Sequence, residues 1–238
     1  MGHRTLTLGL VLRALFLDSE AFDEVRDDDN PFVEGLFLLV LMGLVTAALT
    51  LIGQLIAWGS VPQVSSIREV VMTALQQQPW WSSLNADPQA SSTFQTLWDG
   101  LWRALPPLFG APDPAMSALN LLVWPVWLVA SWLIYAALAH GFARWLGGAG
   151  AFGGVLGATA LSFTPILFRG LGIVPFIALG GALNTWQLIL RYKAIRSAHG
   201  LTWSRALAAT LLPYAVYLVL GLLAGGAALL FISLLAGR

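Results

Sequence analysis

The sequence predicts an all-α integral membrane protein of about five transmembrane helices, with an amino-terminal interfacial amphipathic helix and a partly helical outer loop. Three observations carry this. Of the 238 residues, 58% are hydrophobic and only 10% charged, against about 25% charged in an ordinary soluble domain. The charges are confined to short stretches between apolar runs long enough to span about 30 Å of hydrocarbon. Those runs are bounded by Trp and Arg, as crossing helices are at the headgroup level.

The elements follow in order. In the amino-terminal segment, Leu8, Val11, Leu12, Leu15 and Phe16 fall at helical spacing on one face, and Arg13 interrupts the apolar run. This predicts an interfacial helix and not a signal peptide. With the acidic stretch from Asp18 to Asp29 it makes a cytoplasmic segment, 1–31. The first span is 32–58, broken only by Glu34 and Gln54 near its ends.

An extracytoplasmic loop, 59–118, carries two capping-box patterns, Ser66 with Glu69 and Ser92 with Gln95, each ahead of an amphipathic stretch. The second stretch holds an aromatic stripe, Phe94, Leu97, Trp98, Leu101 and Trp102, and Pro106 with Pro107 ends it. That stripe must bury on the outer leaflet, on the protein's own spans, or as a docking face on a partner.

The remainder, 119–238, reads as a four-span bundle rich in Gly and Ala. Its runs are 119–145, 151–168, 171–190 and 206–235. The second and third are separated by little more than Arg169 and Gly170 and form a helical hairpin, with Pro165 bending or ending the first of the pair. Pro213 kinks the last. Eight of the twelve Lys and Arg residues lie on one side if the amino terminus is inside. This predicts a cytoplasmic amino terminus, an outside carboxyl terminus and a cell-membrane location.

The chemistry is limited by one fact. All twelve acidic residues lie at or before Asp113, so the last 125 residues hold no carboxylate. Proton relays, cation paths and hydrolytic metal sites in membranes rest on such groups. No catalytic residue, no metal ligand and no cofactor is therefore expected, and Cys is missing altogether. The cluster Asp18 to Asp29 lacks the alternation, central Gly and terminal Glu of an EF-hand and reads as a solvated face, or as a docking surface for a basic partner. The glycine run from Gly147 to Gly157 lacks the Lys and Ser or Thr of a phosphate loop.

His140 and Arg144 share a helix face at the inner end of the bundle. With the basic cluster Arg191, Lys193 and Arg196 they are candidates for contacts with lipid or with the bundle end. Gly153 with Gly157, and Gly221 with Gly225, have the spacing for close helix packing, within the chain or between copies. Asn184 and Gln187 read as hydrogen-bonding glue between helices.

Three stretches carry a family likeness. The segment LRALFLDSEAFDEVRDDDNP precedes a span, and a later span ends HGFARWLGG before a Gly-rich hairpin. Then follows LGGALNTWQLILRYKAIRSAHGLTWSRALAATLLP, with Trp186, His199, Gly200 and Ala206. In these the chain resembles the Yip-one domain family, in a short prokaryotic-type form. The resemblance implies five passes and a cytoplasmic amino terminus. It does not carry over binding of a Rab-type GTPase, because the longer cytoplasmic domain and Tyr-Gly motifs of those relatives are missing.

The function expected is that of a non-enzymatic scaffold or accessory subunit that binds lipid, other membrane proteins or its own copies, and not nucleic acid. The alternative is a transporter or channel for a neutral or anionic solute, with a mid-membrane site at Pro165, Pro175 and Asn184.

Overall fold

The computed structural model describes residues 7–60, 64–108, 113–173 and 180–236. His3, Arg4, Pro175 and Arg238 lie outside the described residues.

Local chemistry sets the helix boundaries. Helix α1 (Leu8–Leu15) starts where the Thr7 hydroxyl accepts the Leu10 N–H at 3.2 Å, and α2 (Ser19–Arg26) where Asp18 accepts from Glu20 at 3.0 Å. Helix α3 (Pro31–Ser60) opens on a proline, which needs no amide partner there. Helix α7 (Pro114–Trp145) has the same proline start with Asp113 as its cap, and stops at Gly147, whose φ of +92° suits glycine. Helix α8 (Phe152–Leu161) ends before Pro165 and continues as a 3-10 segment, Thr164–Ile173. Helix α9 (Gly180–His199) stops at Gly200, φ +62°, and α10 (Trp203–Ala236) carries Pro213 inside it.

The loop predicted at 59–118 is occupied by α4 (Val64–Gln76), α5 (Trp81–Ala86) and α6 (Pro88–Leu108). Neither predicted capping box acts as a cap. Ser66 lies inside α4, and α6 starts four residues ahead of Ser92. There Asp87 accepts from the amides of Gln89 and Ala90, and Pro88 supplies a preset first turn. Helix α6 also runs past Pro106 and Pro107 to Leu108.

Successive membrane segments alternate in direction. Gly43 of α3 lies against Pro125 of α7, and Gln54 accepts the Asp113 amide, so α3 and α7 are antiparallel. Gly35 faces Ala160 and Gly170 faces Leu49, which runs α8 and its 3-10 extension parallel to α3. Phe168 stacks on Trp186 while Gly150 bonds to His199, so α9 returns to the end where α8 began. Tyr135 reaches the Thr210 carbonyl while Gly147, just past the end of α7, lies beside Arg205, placing α10 antiparallel to α7.

Among the described residues, four of these segments are long and apolar enough to cross a membrane: α3, α7, α8 with its extension, and α10. Of the predicted run 171–190, residues 171–173 belong to the 3-10 segment, 174–179 lie outside the described residues and 180–190 belong to α9. Helix α9 runs on past 190 to His199, because no breaker intervenes before Gly200, and its second half therefore carries Arg191, Lys193 and Arg196. Those three residues belong to a helix and not to a loop.

The core forms where α3, α7 and α8 meet. Trp132 is fully buried there, stacked on Phe32 at 5.9 Å, and its indole N–H donates to the Leu156 carbonyl and the Thr159 hydroxyl. Burying such a ring removes a large apolar area from water or lipid headgroups, and the paired N–H leaves no polar group unmatched.

Candidate functional site

The arrangement with most chemical potential lies on α9. Arg191 is only 8% exposed, yet no described carboxylate pairs with it. Its guanidinium carbon sits 4.1 Å from the centre of the Tyr135 ring, 5.0 Å from Phe163 and 5.7 Å from Tyr214. Its Nη1 donates to the Tyr214 hydroxyl at 2.5 Å, while its buried Nε has no partner. One turn earlier on the same face, the Nε2 of Gln187 is also buried without a partner. Both side chains line a cavity of about 460 Å³ with Asn184, Thr185, Leu211 and Tyr214.

A buried charge is normally paired, since removing an ion from water costs several kcal/mol even after relaxation. Three aromatic faces return part of that, about 2 kcal/mol for a desolvated contact. The cavity is consequently lined by a cation, with two unpartnered donors buried in the side chains that form its wall, which is an arrangement suited to an anion. Asn184 and Gln187 make no interhelical hydrogen bond to another described residue; both line this cavity, together with Leu211 and Tyr214 of α10.

Of the remaining basic candidates, Lys193 is committed within the chain. Lys193 donates to the Leu17 carbonyl and to the Ser19 hydroxyl, and Leu17 adopts the left-handed conformation (φ 66°) that ends α1 and exposes that carbonyl. The Trp186 indole donates to the Leu15 carbonyl at 3.0 Å. Asp23 accepts from Ser197 at 2.6 Å and from Arg26 at 2.8 Å, and Arg26 also donates to the Ser197 carbonyl. Arg13 binds Asp18 and Glu24, and its guanidinium holds the Asp18 carboxyl below the usual carboxylate range. Asp18, Asp23 and Glu24 of the acidic stretch are thus paired within the chain, while a third to a half of each side chain stays exposed. Arg196 is exposed, with Tyr192 in reach at 3.4 Å.

The single apolar face expected of the first helix divides in two. Leu10, Val11, Ala14 and Leu15 are buried on the protein, while Leu8, Leu12 and Phe16, spaced four apart, point away from it. The outward row is what an interfacial helix lays on lipid.

At the end of the bundle where α9 meets α10, His140 Nδ1 and His199 Nε2 lie 3.2 Å apart, and His199 Nδ1 accepts the Gly150 N–H at 3.2 Å. His199 therefore carries its proton on Nε2 and is neutral; burial, aided by His140 and Arg144, pulls its pKa down to about 4. The exposed Arg144 reaches only the Gly148 carbonyl, at 3.5 Å.

The aromatic stripe buries on its own loop. Trp81, Phe94, Trp98 and Trp102 form a continuous run of ring contacts 5.4–5.8 Å apart between α5 and α6, and Arg68 of α4 pairs with Asp99 at 2.5 Å. Leu97 and Leu101 remain exposed. Of the small residues, Gly157 is enclosed: a Cβ there would meet Pro31 at 2.6 Å and Val25 at 2.9 Å. Gly153 has ordinary clearance, and Gly221 and Gly225 have nothing within 4 Å, because the part of α10 that carries them stands clear of the bundle.

Sequence reasoning missed the ring box of Tyr135, Phe163 and Tyr214. These come from α7, from the turn after α8 and from α10, and no local spacing links them.

The chain matches no curated protein and no solved structure in these comparisons. The model of the Yip1 domain matches residues 12–225, a stretch that begins in α1 and ends within α10 and so takes in every segment of the membrane bundle. The chain belongs to the Yip1 domain family.

Proposed function

We propose that this chain is a non-enzymatic membrane scaffold that associates with other membrane helices, of its own copies or of a larger complex. One observation carries the reading. Residues 218–234 of α10 are exposed on every side, although the helix is long and apolar enough to cross a membrane. Membrane helices associate by close packing of small residues, and Gly221, Gly225 and Gly226 lie open on this stretch. The amino terminus is cytoplasmic and the carboxyl end of α10 is outside in this reading, in the cell membrane. Its support is the alternating course of the segments together with the basic residues at the end shared by α2 and α9.

The test is a gentle-detergent purification of the tagged chain from its native membrane, beside the double variant Gly221→Ile with Gly225→Ile. A stoichiometric partner or a homo-oligomer in the wild type, lost in the variant, supports the reading. A wild type that runs as a monomer without partners contradicts it. A second reading, a path for a neutral or anionic solute, is favoured by the cavity beside Asn184 and Arg191. Flux of a labelled anion into vesicles that contain the purified chain separates the two.

A further inference from the structure

We infer that the cavity on α9 is a binding site for a phosphate oxyanion, and that the oxyanion is the headgroup of an anionic membrane lipid. The inference is independent of the association proposed for α10.

Its first support is the unmatched chemistry. Arg191 is a buried cation with an unpartnered Nε, beside the unpartnered amide of Gln187. An ionisable side chain among membrane helices marks a functional site by default, and no described carboxylate forms an ion pair with Arg191. A guanidinium presents donors in a planar fork that suits phosphate.

Depth is the second support. Arg191 lies between Trp186 and Lys193 on α9, and these two hold the end of α1 through the carbonyls of Leu15 and Leu17. Helix α1 in turn shows Leu8, Leu12 and Phe16 outward, as a helix resting in the interface does. The guanidinium is therefore level with an interfacial helix, where lipid phosphates lie. Basic pockets between membrane helices are the usual places for anionic headgroups. Third, the cavity's volume is within the range of small-molecule sites, and Leu188 and Leu211 add apolar lining next to the donors, as a headgroup joined to an acyl chain requires.

Thermal unfolding of the full chain in a neutral detergent tests this, with short-chain phosphatidic acid, phosphatidylglycerol, phosphatidylcholine and inorganic phosphate as probes. The anionic lipids should raise the unfolding temperature of the wild type and phosphatidylcholine should not. Arg191→Gln should weaken binding on the order of ten- to a hundredfold, the loss of a charge-assisted bond.

Gln187→Met keeps the test decisive if the Arg191 variant folds poorly. It removes a donor that has no partner in the chain, so without ligand the variant should be as stable as the wild type or more so. Its response to the anionic lipids should nevertheless be about tenfold weaker. A merely structural glutamine would show the reverse. Stabilisation by inorganic phosphate as strong as by lipid, and lost in both variants, supports the oxyanion site but assigns it to a soluble source. No stabilisation of the wild type by any anion, or equal stabilisation of wild type and both variants, overturns the inference.

Discussion

Replacing His199 by Gln should reduce the acid sensitivity of the folded chain between pH 6.5 and 4. In the native structure His199 uses Nδ1 to accept the Gly150 N–H and Nε2–H to donate to His140. A second proton would have to enter at Nδ1 and set two N–H groups against each other. The groups that face the ring are His140 and Arg144, both on α7, with no carboxylate among its described contacts. Its pKa is accordingly near 4 when folded, against about 6.5 when unfolded.

The sign follows from those two values. Above pH 6.5 both states are neutral and the full stability is present. As pH falls from 6.5 to 4 the unfolded chain gains a proton that the folded chain refuses, and stability is lost. The difference of about 2.5 pH units corresponds to roughly 3 kcal/mol, since one unit is about 1.4 kcal/mol. For a chain of this size that is a fall in Tm of roughly 6–12 °C.

The assay is tryptophan-fluorescence thermal unfolding of wild type and His199→Gln from pH 7.5 to 4. Wild type should lose the larger amount, and the gap between the two curves should change mainly between pH 6.5 and 4. Asp18, whose carboxyl is held low by Arg13 and by the Glu20 amide, titrates in both proteins and cancels in the difference. A gap that stays constant across this range would refute the assignment of a neutral His199.

Three further outcomes follow from the same contacts. Gly157→Ala should destabilise by about 1–3 kcal/mol through overpacking against Pro31 and Val25, whereas Gly221→Ala, with open space around it, should be neutral or slightly stabilising in detergent; paired thermal melts read the contrast. Asp23→Ala removes the acceptor shared by Ser197 and Arg26, so hydrogen exchange across residues 8–26 should speed up while α3 and α7 keep their protection. Trp98→Ala breaks the run of rings between Phe94 and Trp102, so residues 64–108 should become more sensitive to protease and the bundle should not.

Apolar runs and their flanking aromatic residues were enough to read the class of fold, since lipid demands that every spanning backbone group be satisfied within its own segment. Span 32–58 differs from α3 by one or two residues at each end for that reason. The hairpin of α8 and α9 was readable as an antiparallel pair but not in register. Hydropathy sees an apolar run, whereas the helix persists until a glycine can adopt φ +62° at Gly200. The cap of α6 was misplaced because Ser92 with Gln95 fits the capping-box pattern, whereas the actual cap, Asp87, has Ala90 in place of the Glu or Gln and is marked only by the Pro88 that follows it.

The charged groups near the amino terminus were legible as a group but not in their pairing. Asp23 meets Ser197 across 174 positions, a separation that no short-range pattern encodes. Arg191 looked like one member of a basic loop. Only the packing of Tyr135, Phe163 and Tyr214 around it shows that it is buried and short of an anion.

In the proposed function, the carboxyl-terminal half of α10 is a helix-association surface. A photo-crosslinking amino acid placed singly at each position from 218 to 234, irradiated in native membranes, tests it most directly. The account predicts protein adducts that peak on the face of Gly221 and Gly225 and recur every three to four residues. Adducts with lipid alone, at every position around the helix, would contradict it.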